Sequence, residues 1–235
     1  KEARNQIIAM TDGGCIAKKD WLEKITLPFN NKKVDFVAGF YEMTGNQPLQ
    51  RAVAPFLGIP PQRFKADTFL PSARSMAFRK SLWEKIGGFS ERLDHAGEDT
   101  VFNYKVIEKG IPIVRVKDAI VYWEMPKTLT EALAKFYYYA KGDAQAGIWW
   151  HPSQRMSTHN VKISSVFTRY ILGLVMLLFS FRFPQLLPVL ILGFGVYLVW
   201  SIWKMRDIVT DREARIWLPI IQVSSDLAIM IGFMR

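Results

Sequence analysis

Gln6-Ile7-Ile8-Ala9-Met10-Thr11-Asp12-Gly13-Gly14-Cys15 is the stretch on which the fold turns. Its apolar run, Gln6 to Met10, is short and uncharged, the pattern of a buried strand. Thr11 to Cys15 breaks that run with two glycines. In an open α/β sheet, ligands bind beyond the carboxyl ends of strands, and that is where this strand would place Asp12. Upstream, the residues from Lys1 read as a helix running into the strand.

Downstream, the pattern alternates. Lys18 to Ile25 predicts a helix with Trp21, Leu22 and Ile25 on one face. Val34 to Met43 predicts a strand, Pro48 to Leu57 a short helix, and Ala73 to Phe78 a further strand. Ser81 to Ile86 reads as a helix stopped by Gly87-Gly88, and Thr100 to Lys109 as one stopped by Gly110. Ile111 to Val116 and Ala119 to Trp123 read as two short strands. Thr128 to Lys141 is an amphipathic helix with Phe136, Tyr137, Tyr138 and Tyr139 clustered on it. Strands alternating with helices predict an α/β domain. There is no internal repeat.

The second half differs in kind. The 235-residue chain is 50% hydrophobic and 22% charged, a mixture that resolves when it is split. After Asp143 the next acidic residue is Asp207. Between and beyond lie three apolar stretches, Val166 to Phe183, Leu186 to Trp203 and Ile216 to Met234. Each approaches the ~20 residues that cross a ~30 Å hydrocarbon core. Pro184 and Pro188 make the first two a tight hairpin. Tyr197, Trp200 and Trp203 suit an interfacial belt. Asp226 interrupts the third span and is costly there unless it faces protein or water.

Basic residues set the expected orientation. Arg155, Lys162 and Arg169 flank the first span, and Lys204, Arg206, Arg212 and Arg215 fill the loop after the second. Both groups, and the preceding domain with them, are expected on the cytoplasmic side of a cell membrane. The net charge of +10 fits contact with anionic membrane lipids. No run of five or six basic residues points to nucleic acid. Cys15 is the sole cysteine, which excludes an intrachain disulfide.

Three stretches can carry chemistry. Asp12, with Gly13 and Gly14, can accept a hydrogen bond from a ligand hydroxyl or help hold a divalent cation on phosphate. It can equally be an ordinary Asp-Gly turn. Gly97-Glu98-Asp99-Thr100 sets two carboxylates before a helix. One can serve as a general base, or both can be a charged first turn. Leu70 to Arg79, with Arg74 and Ser75, can line an acceptor groove or be a plain strand. His95, His151 and His159 lack metal-ligand spacing and read as surface or loop residues.

The order of these motifs resembles family 2 glycosyltransferases of the GT-A fold. The sequence runs Arg4-Asn5, Asp12-Gly13-Gly14, Ala73 to Arg79, Gly87-Gly88-Phe89, Gly97-Glu98-Asp99, then apolar spans. The resemblance implies the C-terminal part of a Rossmann-like α/β catalytic domain followed by transmembrane helices. It places residues 1–150 in the catalytic domain, with an interfacial helix at 128–141. A basic juxtamembrane linker follows at 151–165, then a membrane region at 166–235 with two transmembrane helices, or three if the third span crosses rather than lying at the interface. A first, nucleotide-binding half is expected to precede this chain.

The implied reaction is inverting transfer of a hexosyl-type sugar from a nucleotide-sugar donor, expected to be a UDP-sugar, to a hydroxyl acceptor. The acceptor would be a glycan or a lipid-linked acceptor in cell-surface polysaccharide or glycolipid synthesis. Asp99 matches the catalytic base and Glu98 its neighbour. Asp12, Gly13, Gly14 and Arg4 match donor-binding positions, with Asp12 toward Mg²⁺ or Mn²⁺. Arg74 and Ser75 are the acceptor-side candidates. Gly14 replaces the second aspartate of the donor motif, and Trp123-Glu124 stands where related enzymes carry a histidine. The Gln-x-x-Arg-Trp motif of processive synthases is absent. Two alternatives are a polyprenyl-phosphate glycosyltransferase and a non-catalytic membrane scaffold that keeps the fold.

Overall fold

The computed structural model describes residues 2–93, 96–151 and 158–235. They divide into two compact units. The first comprises residues 1–45 and 58–125; the second comprises 46–57 and 126–235.

The first unit is built on a five-stranded sheet. Its strands are β1 (Ile7–Met10), β2 (Cys15–Ala17), β3 (Phe36–Thr44), β4 (Met76–Arg79) and β5 (Ile113–Glu124). They lie in the order β1-β4-β3-β5-β2. Only β3 and β5 run parallel; the other pairs are antiparallel. Three helices, α1 (Trp21–Thr26), α3 (Lys80–Lys85) and α4 (Glu98–Glu108), complete the unit. One core joins sheet to helices through Phe36, Met76, Phe78, Leu82, Phe102 and Val106. Phe36, Phe78 and Phe102 meet one another edge-on or tilted, the preferred geometry for aromatic rings.

Two strand expectations change. The expected pair at 111–116 and 119–123 is the single strand β5. Its register on β3 jumps between Ala38↔Arg115 and Phe40↔Ile120, so β5 bulges without breaking. Strand β2, short and on the sheet edge, has no apolar run to announce it. The expected helix before β1 is not formed among residues 2–6. Lys80 ties that segment down instead: its backbone N–H donates to Gln6 O (2.7 Å) and its Nζ to Ala3 O (2.9 Å).

The second unit is helical. It contains α2 (Pro48–Leu57), α5 (Leu129–Ala146), α6 (His159–Ser180), α7 (Leu186–Trp203) and α8 (Arg212–Phe233). Thr128 caps α5 by accepting from the Glu131 N–H, while Glu131 accepts from the Lys127 N–H. This reciprocal cap follows from the Thr-x-x-Glu spacing. Leu49, Val53, Phe136, Leu218 and Ile221 bury the contact among α2, α5 and α8. α6, α7 and α8 are long and apolar enough to cross a membrane.

Asp226 faces protein, as its cost in a span requires. Its carboxylate receives Arg169 Nη2 at 2.9 Å, Gln222 Nε2 at 3.0 Å and the Tyr197 hydroxyl. Tyr197 stacks its ring on Trp200 while turning its hydroxyl to Asp226. His151 is 1% exposed, not a surface residue, and His159 meets Asp143 at 3.0 Å. His95 and Arg155 lie outside the described residues.

Candidate active site

Ala73, Arg74 and Ser75 precede β4 and organise the site, each in a different direction. The Ala73 N–H donates to Asp99 Oδ2 (3.1 Å). Arg74 Nε lies 3.8 Å from Asp12 Oδ2. Ser75 Oγ accepts from Trp21 Nε1 (2.9 Å) and donates to Ala119 O (3.1 Å). Two aspartates far apart in sequence are thus brought to adjacent residues at one end of the sheet.

Each partner is held from its own side. Asp12 follows β1, and its carbonyl accepts from Cys15 N (3.0 Å), so the turn reading of Asp12-Gly13-Gly14-Cys15 is correct as local geometry. A Cβ added at Gly13 or Gly14 would meet nothing within 4 Å. The fold leaves open space over both. Asp99 is the second residue of α4, where Oδ1 accepts from Thr100 N (2.7 Å). The residue before Glu98 is Gly97 at φ 93°, a left-handed conformation that a side chain would strain. Asn103, one turn along α4, donates to Pro71 O (2.6 Å) and ties down the 69–75 loop.

Arg74 is flanked by rings. Its guanidinium carbon sits 3.8 Å from the centroid of Trp123 and 5.6 Å from that of Tyr41. The Tyr41 hydroxyl accepts from Ile59 N (2.9 Å), and burial pushes its pKa up. Burial likewise raises Glu98 above the ordinary carboxylate range; Asp99 and Asp12 add to this, and Arg74 opposes it. Glu98, Asp99, Asp12 and Arg74 therefore form one electrostatic neighbourhood. Trp123 and Tyr41 were not among the expected site residues. Only Trp123 gave a signal, standing where the resemblance noted in the sequence would put a histidine.

Two expected site residues fall elsewhere. Ser75 is 1% exposed, and its hydroxyl is used within the fold in both directions, so it cannot line an acceptor groove. It occupies the space beside Gly39, where an added Cβ would lie 2.0 Å from Ser75 Oγ. Arg4 stands before β1, at the strand end opposite Asp12. It lines a cavity of about 370 Å³ with Asn5, Gln6, Arg79, Lys80, Ser81 and Glu84.

Among the described residues no group of three or more His, Cys, Asp or Glu side chains could hold a metal ion. Asp12 supplies one carboxylate, with open space at Gly13 and Gly14. That donor set fits a Mg²⁺-type cation taking most of its oxygens from a bound phosphate and water. It does not fit a cation caged by protein alone.

The chain thus joins a mixed α/β sheet, with carboxylates gathered at one end of it, to apolar helices that follow in sequence. The fold matches "Mannosyltransferase PcManGT from Pyrobaculum calidifontis in complex with GDP-Man and Mn2+", at TM-score 0.52 and 16% identity. The match covers 99% of this chain and 63% of that one, so this chain spans under two thirds of that enzyme's length. The family profile described as glycosyl transferase family group 2 matches residues 62–204, well over half of the sequence. The chain belongs to that family. No curated protein matches it. The matched segment holds Arg74, Glu98, Asp99 and Trp123, while Asp12 precedes it.

Proposed function

We propose that this chain carries the catalytic carboxylates of a membrane-anchored, inverting glycosyltransferase. The observation that carries the reading is the linkage of Asp12 and Asp99 through adjacent residues, Arg74 and Ala73. Asp12, on its glycine turn, binds the nucleotide-sugar donor. Asp99 takes the proton from the acceptor hydroxyl. The acceptor oxygen bonds to the anomeric carbon as the bond from that carbon to the diphosphate oxygen breaks. The electron pair leaves on the nucleoside diphosphate, and the configuration inverts.

Glu98 stands beside Asp99 and Asp12, and burial raises its pKa from the ordinary carboxylate value. A divalent cation, bound to the donor's phosphates with Asp12 as one ligand, would supply charge to the leaving group.

Residues 1–150 serve as the catalytic part, with the 128–141 segment at the membrane interface and 151–165 as a basic linker. Residues 166–235 anchor it, with the catalytic face cytoplasmic and the product a surface polysaccharide or glycolipid. The support is the family membership, the three long apolar helices and the basic flanks of α6 and α8.

The test is release of nucleoside diphosphate by the full-length protein in membranes. A panel of UDP- and GDP-sugars would be supplied with and without Mn²⁺ or Mg²⁺. One donor should be turned over, and Asp99→Asn should lower turnover by about 10²- to 10⁴-fold with donor binding kept. Wild-type turnover in Asp99→Asn would sink the assignment. Binding of donor without turnover, with every acceptor tried, would favour a scaffold.

A further inference from the structure

α8 (Arg212–Phe233) is long and apolar enough to cross a membrane, but the helix packed along it is not. Ala214, Leu218 and Ile221 of α8 share one buried core with Ala132 and Phe136 of α5. At the far end of α8, a Cβ added to Gly232 would collide with the Tyr137 carbonyl of α5. The Phe233 ring meets that of Trp149, just past the end of α5, at 6.0 Å between centroids. From Ala214 to Gly232 is ~27 Å of helix, close to the whole ~30 Å of a hydrocarbon core. Were α8 a span, α5 would have to share its depth. α5 carries Glu131, Lys135, Lys141 and Asp143 within 18 residues, and charges at that density are too costly for hydrocarbon.

The approach of α8 to the α6–α7 hairpin gives a second, independent argument. Gln222 receives Lys204 at the end of α7, and Asp226 receives both Tyr197 and Arg169. Phe233 meets Phe167 of α6 at 6.1 Å between centroids. Going along α8 from Asp226 to Phe233 therefore shifts its partner on α6 only from Arg169 to Phe167. Helices lying side by side would advance together. α8 instead passes across the base of the hairpin. Toward the hairpin turn, Ile171, Leu178, Phe181, Ile191 and Leu192 are each more than half exposed.

The outward stripe of α8 is apolar. Ile216, Ile220, Leu227 and Ile231 recur at i, i+4, i+11 and i+15 and are 45% to 70% exposed. Arg212 opens the helix and Arg206 lies in the turn before it, both exposed. An apolar stripe with cations at one end is the pattern of a helix that lies on an anionic lipid surface.

We propose, resting on the membrane-anchored reading, that α8 does not cross the bilayer but lies in the plane of its surface. Its stripe from Ile216 to Ile231 binds the acyl-chain boundary of a phospholipid leaflet, and only the α6–α7 hairpin enters the hydrocarbon. Asp226 and Arg169 then lie at the foot of the hairpin, near headgroup depth, where an ion pair is least costly. Both ends of α8 face the same side of the membrane.

The experiment places single cysteines in the full-length protein made cysteine-free, Cys15→Ser included. Glu213→Cys and Met234→Cys flank α8, and sealed vesicles of both orientations are treated with a membrane-impermeant maleimide. The two positions should label from the same face. Labelling from opposite faces would overturn the proposal.

Should Met234→Cys react only in detergent, depth decides. A fluorophore on Ile216→Cys or Leu227→Cys is quenched by nitroxide lipids in vesicles of phosphatidylcholine and phosphatidylglycerol. Both should be quenched alike, and best by a nitroxide near the headgroup. Strongest quenching of Leu227→Cys by a nitroxide at the acyl terminus would also overturn the proposal. Release of the protein from membranes by alkaline carbonate would instead remove the anchored reading, and this inference with it.

Discussion

Asp226 with Arg169 in the helical unit and Asp12 with Arg74 in the sheet unit are aspartate–arginine pairs built oppositely. Asp226 and Arg169 meet at 2.9 Å, with the Asp226 side chain 3% exposed. Gln222 and the Tyr197 hydroxyl complete its shell, and Lys204 donates to Gln222 behind them. Asp12 and Arg74 are 3.8 Å apart, and Asp12 is 44% exposed beside open space. The first pair is closed by neighbours from three apolar helices. The second has an aromatic support on one side and open space on the other. A closed pair holds structure together; an exposed pair stays within reach of a ligand.

Substitutions should separate the two accordingly. The largest effect is expected at Asp226. Asp226→Ala strands the Arg169 guanidinium, a loss on the order of 3–5 kcal/mol for a buried pair broken on one side. The thermal midpoint of the purified protein should fall steeply. Asp226→Leu with Arg169→Leu should recover most of the loss. A double variant as unstable as Asp226→Ala would mean that the network matters beyond charge neutralisation.

A smaller effect is expected at Ser75, next to the open pair. Ser75→Ala leaves Trp21 Nε1 and Ala119 O without their partner, at about 1–3 kcal/mol. Stability should drop while the acceptor KM stays unchanged. An altered acceptor KM with normal stability would return Ser75 to the acceptor site.

The smallest effect concerns Glu98. Burial, then Asp99 and Asp12, raise its pKa above the ordinary 4.5. The folded protein thus binds this proton more tightly than the unfolded chain. Its contribution to stability is present below 4.5 and lost as pH rises through the folded value. Glu98→Gln should therefore raise the thermal midpoint slightly at neutral pH and leave it unchanged below 4.5. A loss at neutral pH would show that the carboxylate is held charged by contacts that outweigh its burial.

Local patterns made several parts of both regions legible. Pro48 to Leu57 and Leu186 to Trp203 form the helices expected of them, with those limits. Of the face expected on α1, Trp21 and Ile25 are buried as helical spacing predicts, but Leu22 is exposed. β2 was hidden because three residues on a sheet edge need no apolar run. The bulge in β5 lies opposite Gly39, where an added Cβ would meet Ser75 and Ala119 O, a contact between distant segments that no pattern within 111–124 encodes.

By itself the sequence determined the class of architecture: an α/β part with carboxylates at element ends, then three apolar stretches, in family order. Periodicity, glycine stops and motif order are properties of neighbouring residues, so one strand of text suffices to read them. Tertiary structure alone decided which candidates share a site. It set Arg4 in a cavity with Arg79, Lys80 and Glu84, sealed Ser75 into the core, and laid Arg74 on Trp123 beside Asp12. The reason is that β4 pairs antiparallel with β1. That pairing sets the residues before β4 against the residues after β1, and strand register is fixed by the packed sheet, not by local propensity.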